Sequence, residues 1–195
     1  MIFLPLMSLF YYSRVTLVLL ACACTTEAQS TISKSTWRGL PAFTQSDGRC
    51  EAVVVPGLGG RVVSFGLIGG RNFIWSGPAG VEQQPPTLAW GGDKTYIGPH
   101  TMWSLTLPRT WPPPSPDAAE HSVEMLGDGR LRTTSPPWEA YDGARIVREQ
   151  GFDARGDFVI THTITKVPGS RAIGAVWTIT QTVPATSFYL SLIHI

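Results

Sequence analysis

The stretch from Asp157 to Lys166 constrains the fold more than any other part of the chain, because its side chains alternate without a break. Phe158, Ile160, His162 and Ile164 project to one face, and Val159, Thr161, Thr163 and Thr165 to the other. That is the period of a strand, not of a helix. The expected partner is Ala172 to Val183, which places Ala175, Trp177, Ile179 and Gln181 together, with Pro168-Gly169-Ser170 as the turn. Cys50 to Val55 and Arg61 to Leu67 form a second expected hairpin across Pro56-Gly57-Leu58-Gly59-Gly60, with Val63, Phe65 and Leu67 on one face.

The rest of the chain extends this pattern. Asn72 to Trp75 reads as a short strand leading into a Gly/Pro-rich loop from Ser76 to Pro99, and Thr101 to Leu107 as a strand that exits through Trp111-Pro112-Pro113-Pro114. His121 to Leu126, Arg130 to Thr134 and Arg145 to Phe152 follow, split by Gly127-Asp128-Gly129 and Asp142-Gly143. With 20 Gly and 16 Pro among Val, Ile, Thr and Trp, and no amphipathic helix or internal repeat, the expected fold is an all-β antiparallel β-sandwich.

The first 21 residues have the order of a secretory signal, with Arg14 as their one charge ahead of the apolar run Val15 to Ala21. That run is too short to span a bilayer. Leu19-Leu20-Ala21-Cys22 resembles a bacterial lipoprotein signal, with Cys22 as the lipidated residue; ordinary cleavage after Ala28 is the other reading, and Met7 is a second candidate start. Both cleavage readings place the protein outside the cytoplasm, in the periplasm or on the outer membrane through a lipid anchor. Residues 22–36 then read as a tether and 37–195 as the domain. A strand from about Ser187 runs to Ile195 without a closing turn, so a domain incomplete at its carboxyl end is expected.

Removal of Arg14 from the 15 basic residues leaves as many as the 14 acidic ones, which gives no electrostatic basis for nucleic-acid binding or for attraction to an anionic membrane. Of the 3 cysteines, Cys50 alone lies in the domain, as a small buried residue at a strand start, so neither a disulfide framework nor a metal site is expected. No cofactor motif is present.

Val53-Val54-Val55-Pro56-Gly57-Leu58-Gly59-Gly60-Arg61-Val62-Val63-Ser64-Phe65, followed by Asn72-Phe73-Ile74-Trp75, is similar to the opening hairpin of galactose-mutarotase-like domains. Trp90-Gly91-Gly92-Asp93-Lys94 with Pro99, Trp103 and Trp111-Pro112-Pro113 resembles an uncharacterised bacterial branch of that superfamily, the DUF4380-type proteins. Thr161 to Thr165 and Val176 to Gln181 resemble a later strand pair of the same branch. The resemblance covers roughly residues 50 to 183. It implies a large antiparallel sandwich, the supersandwich, whose concave face holds a carbohydrate. Aldose 1-epimerases of this superfamily are isomerases that use a histidine and a glutamate as acid and base. This chain shows no histidine motif like theirs, and their glutamate lies in a later part of the fold, so a binding surface carries over and catalysis does not.

By resemblance Arg61 and Asn72 are hairpin and pocket residues, though each also suits a turn that needs its own hydrogen bonds. Asp93 and Lys94 can bind sugar hydroxyls through charge-assisted hydrogen bonds, or form a solvated turn. Trp90, Trp103, Trp111 and Trp177 can offer flat faces to a sugar ring, although a tryptophan is more often core. His100, in the same loop, and His162 are the candidate acid–base groups, with reference pKa values near neutrality. His162 equally fits a packed strand face. An exported epimerase-like enzyme, a non-catalytic carbohydrate-binding lipoprotein and an envelope scaffold without a small ligand are the three functional readings.

Overall fold

The computed structural model describes residues 30–80, 91–98, 116, 118–170 and 174–184. Its strands are β1 (Thr31–Trp37), β2 (Leu40–Ser46), β3 (Cys50–Val55), β4 (Arg61–Leu67), β5 (Asp93–Gly98), β6 (Ser122–Met125), β7 (Leu131–Thr134), β8 (Arg145–Phe152), β9 (Phe158–Thr165) and β10 (Ala175–Thr180). They form two antiparallel sheets, of six strands in the order β1-β2-β3-β4-β5-β10 and of four in the order β6-β7-β8-β9. The chain is an all-β antiparallel sandwich. Among the described residues, no helix is long and apolar enough to cross a membrane.

The β3–β4 hairpin forms as the Pro/Gly cluster predicts. Pro56–Leu58 make one 3-10 turn that ends on Gly59 at φ 73°, and Gly60 follows at φ 64°, a conformation side chains with a Cβ rarely adopt. The ladder slips between Val53 and Val54, so Val54 faces Val62 and the next pair is Val53 with Ser64. This β-bulge reverses the expected facing. Phe65 joins Ala52, Val54 and Val62 against Leu131 of the other sheet, whereas Val63 packs with Ala42 and Val55 on the opposite face. Leu67 is exposed. Val63, Phe65 and Leu67 therefore do not share one buried face.

Four further expectations change. Residues 31–36, read as tether, lie in β1, which pairs with β2 along its whole length; a Ser- and Thr-rich edge strand resembles a linker in composition because only part of it is buried. Asn72 to Trp75 forms no full strand and makes one isolated bridge, Ile74 to Thr182. The loop from Ser76 to Pro99 contains β5, buried at every position, and a strand covered on both faces shows no alternation. β10 pairs with β5, not with β9, while β9 pairs with β8 over its full length. Alternation reveals which face of a strand is covered but not which strand lies beside it. Cys50 opens β3 as expected and is half-buried.

One core cluster between the sheets is Ala52, Val54, Val62 and Leu131, with Phe43, Phe158 and Ile160 packed on it. A second gathers Tyr96, Ile97, Tyr141, Ala144 and Ile146, with Trp138, Ile164, Trp177 and Ile179. Polar side chains lie alongside these apolar groups in the seam between the sheets.

Candidate functional site

Strand alternation sends Asp93 and Thr95 of β5 toward the four-stranded sheet, and Lys94 and Tyr96 the other way. On the inner side, Arg148 of β8 meets Asp93. Its Nη1 donates to the Asp93 carbonyl at 2.9 Å, and its Nη2 donates to the Asp93 carboxylate Oδ1. The second carboxylate oxygen accepts from Thr180 Oγ1 of β10 at 2.5 Å, because Thr180 stands directly opposite Asp93 in the ladder. Arg148 and Asp93 are both buried, so this ion pair is screened far less than a surface one.

Neighbouring amides extend the network. Gln150 Nε2 donates to the Gly60 carbonyl at 3.2 Å, and Gln45 Nε2 donates to the Gln150 carbonyl at 2.8 Å. Gln45 Oε1, His121 Nδ1 and Thr133 Oγ1 are buried with no hydrogen-bond partner among the described residues.

His162 stands beside Arg148 in the β8–β9 register and is half-buried. Its Nδ1 lies 2.7 Å from Thr95 Oγ1. Burial first, and then the Arg148 guanidinium, pushes the imidazole pKa below its ordinary value, while the Asp93 carboxylate opposes that shift. The neutral ring is therefore favoured near pH 7. Thr178 and Thr180 of β10 are exposed beside this patch, which leaves hydroxyls and one imidazole at the open edge of a buried, charge-balanced pair.

On the other side of β5, Lys94 Nζ donates to Gln181 Oε1 at 2.9 Å, and the Tyr96 and Trp177 rings lie 5.8 Å apart at 44°. Lys94 and Tyr96 are buried and Trp177 is half-buried. Asp93 and Lys94, adjacent in sequence, thus serve opposite faces, and neither is a solvated turn residue. His162 and Asp93 come together in the seam, whereas Lys94 and Trp177 belong to the other face.

Asn72 secures backbone. Its Oδ1 accepts from the Phe65 and Ile74 amides at 3.0 and 2.8 Å, and its Nδ2 donates to the Val63 carbonyl at 3.2 Å. Those bonds satisfy β4 next to its bulge, where ladder partners are lost. Arg61 is buried, with Nη1 donating to the Gly91 carbonyl at 3.3 Å. Trp90, His100, Trp103, Trp111 and Cys22 lie outside the described residues. Among the described residues no group of three or more His, Cys, Asp or Glu side chains is placed to hold a metal ion.

Sequence reasoning missed Arg148, Thr95 and Thr180. The signal for Arg148 was present: it alternates with Ile146, Gln150 and Phe152 on one strand face, and a charge on an inward face requires a buried counter-charge. Nothing local marks Asp93 as that partner, 55 residues away.

No family model matches the chain. No curated protein matches it. Among solved structures it is similar to a TPR-domain containing protein from Parabacteroides distasonis ATCC 8503, at 15% identity and a TM-score of 0.37, over 64% of this chain and 20% of that one. The chain thus spans about a fifth of that protein's resolved length.

Proposed function

We propose that the protein binds carbohydrate in the galactose-mutarotase-like manner, at the open edge of the seam where His162, Thr178 and Thr180 meet the buried Asp93–Arg148 pair. The observation that carries this reading is His162: a half-exposed imidazole whose Nδ1 is oriented by Thr95, beside hydroxyl groups of the neighbouring sheet. Fixed hydroxyl and imidazole groups exchange hydrogen bonds with sugar hydroxyls, which both donate and accept. Binding ranks above catalysis. An aldose 1-epimerase-like reaction needs a second group of different proton affinity facing the same carbon, and both oxygens of Asp93 are engaged by Arg148 and Thr180.

The same engagement supports a second reading, an envelope scaffold in which the pair serves only to hold the sheets. Ligand-observed NMR against neutral, acidic and amino monosaccharides and their oligomers separates the two. Contact with a sugar that weakens in His162→Ala supports binding, and contact with none of them favours the scaffold. Polarimetry on any sugar that binds tests for isomerase activity. Export with a lipid on Cys22 belongs to the same proposal, and a Cys22→Ser protein that still fractionates with membranes would count against the anchor.

A further inference from the structure

A separate cleft of about 400 Å³ opens at the far end of the four-stranded sheet, lined by Asp128, Arg130, Phe152, Asp153, Ala154 and Val159. That volume lies within the range of small-molecule sites. Two tight turns form its rim, and each presents a carboxylate. Asp128 sits in the β6–β7 turn, and Asp153 opens the β8–β9 turn, where its Oδ1 accepts from the amides of Arg155 and Asp157 at 2.9 and 3.0 Å. Asp153 Oδ2 has no partner among the described residues and remains an acceptor.

Arg130 is held from two sides. Its Nε donates to Asp128 Oδ2 at 2.7 Å, its Nη2 lies 2.7 Å from the same oxygen, and its Nη1 donates to Glu149 Oε2 at 3.2 Å. Its stem presses on Gly151, where an added Cβ would lie 2.8 Å from Arg130 Cγ. A guanidinium clamped in this way offers the second N–H of each terminal nitrogen in a fixed direction. Val159, opposite Gly151 in the β8–β9 register, is 41% exposed and supplies an apolar patch beside these groups.

We infer that this cleft is a second carbohydrate subsite, one that takes a neutral sugar ring. Arg130 donates to ring hydroxyls, Asp153 Oδ2 accepts from them, and Val159 with Ala154 meets the C–H face. The lining holds two carboxylates against one guanidinium, while Glu149 behind Arg130 is balanced by Arg132, whose Nε and Nη2 donate to its Oε1 at 2.9 and 2.7 Å; the net negative lining disfavours an acidic sugar. The inference extends the carbohydrate reading to residues that the His162 patch does not share.

Saturation-transfer NMR on the full chain with a methyl hexopyranoside and the corresponding methyl hexuronide tests it. Asp153→Asn keeps the turn acceptor and removes the charge, and Val159→Arg fills the cleft from an exposed position. Circular dichroism verifies that both variants fold. The expected result is contact with the neutral glycoside, at least about tenfold weaker in each variant and unchanged in His162→Ala. Contact that is lost only in His162→Ala overturns the second subsite and leaves the seam reading intact. Tighter binding of the hexuronide overturns the ligand class, and contact with neither glycoside overturns the subsite.

Discussion

Acidification should destabilise this protein through His121 first, because the unfolded-state pKa of an imidazole lies above those of the carboxylates. His121 is buried, and its Nε2 is 2.8 Å from the Pro116 carbonyl. A carbonyl can only accept, so Nε2 carries the proton and Nδ1 is the bare nitrogen. Protonation would place a charge on Nδ1, which has no partner among the described residues. Burial, opposed by the Pro116 hydrogen bond and reinforced by the Arg148 and Arg61 guanidinium groups, pushes the pKa down from 6.5 to about 4. The unfolded chain therefore binds this proton first as the pH falls. Stability from neutral His121 is full above pH 6.5, declines below it, and is lost by about pH 4. At about 1.4 kcal/mol per pH unit the loss reaches about 3 kcal/mol, a large share of the stability of a domain this size. Urea unfolding of the wild-type protein and of His121→Gln at pH 7.5, 6, 5 and 4 measures it. The wild-type protein should lose about 3 kcal/mol more than the variant across that range, and because both retain His162 its titration cancels. Parallel pH profiles would refute the reasoning.

Two substitutions test the seam itself. Gly60→Ala forces a left-handed backbone on a residue with a Cβ and drives that Cβ into Thr133 and His121, so it should cost about 3 kcal/mol by thermal or denaturant unfolding; a cost below about 1 kcal/mol would refute the strain argued for this turn. Arg148→Met leaves the Asp93 carboxylate buried without its cation and should cost about 3 to 5 kcal/mol, most of it regained in the double variant Arg148→Met, Asp93→Val; additive losses in that double-mutant cycle would show that the two side chains do not interact.

The sequence made the sandwich legible because turns and alternation are local signals. Phe158 to Thr165 could be read residue by residue because one face is half-covered and the other exposed, and the Gly59-Gly60 turn because positive φ favours one residue type. β5 escaped because both of its faces are buried. The place of β10 beside β5 escaped because strand order depends on contacts between distant segments. The site was legible in part for the same reason. His162 stands out as a polar residue on an apolar face, whereas its partner Thr95 is an ordinary strand residue 67 positions away.

The buried pair also explains why His162 meets Thr95. β5 touches β4 through the single aligned pair Val62 and Asp93, so its backbone ladder on that side does little to fix its register. Arg148, reaching across from the other sheet, donates to both the carbonyl and the carboxylate of Asp93. A slip of one residue would put Lys94 against that guanidinium, two cations in a desolvated seam. Together with the six-pair ladder to β10, the ion pair thus fixes which residue of β5 faces β8, and with it places Thr95 two residues on, facing His162 on the adjacent strand. Loss of ligand binding in an Asp93 variant would therefore report on register as much as on contact. His162, half-exposed and, among the described residues, hydrogen-bonded to the single side chain of Thr95, is the position at which binding can be changed while the sheets stay aligned.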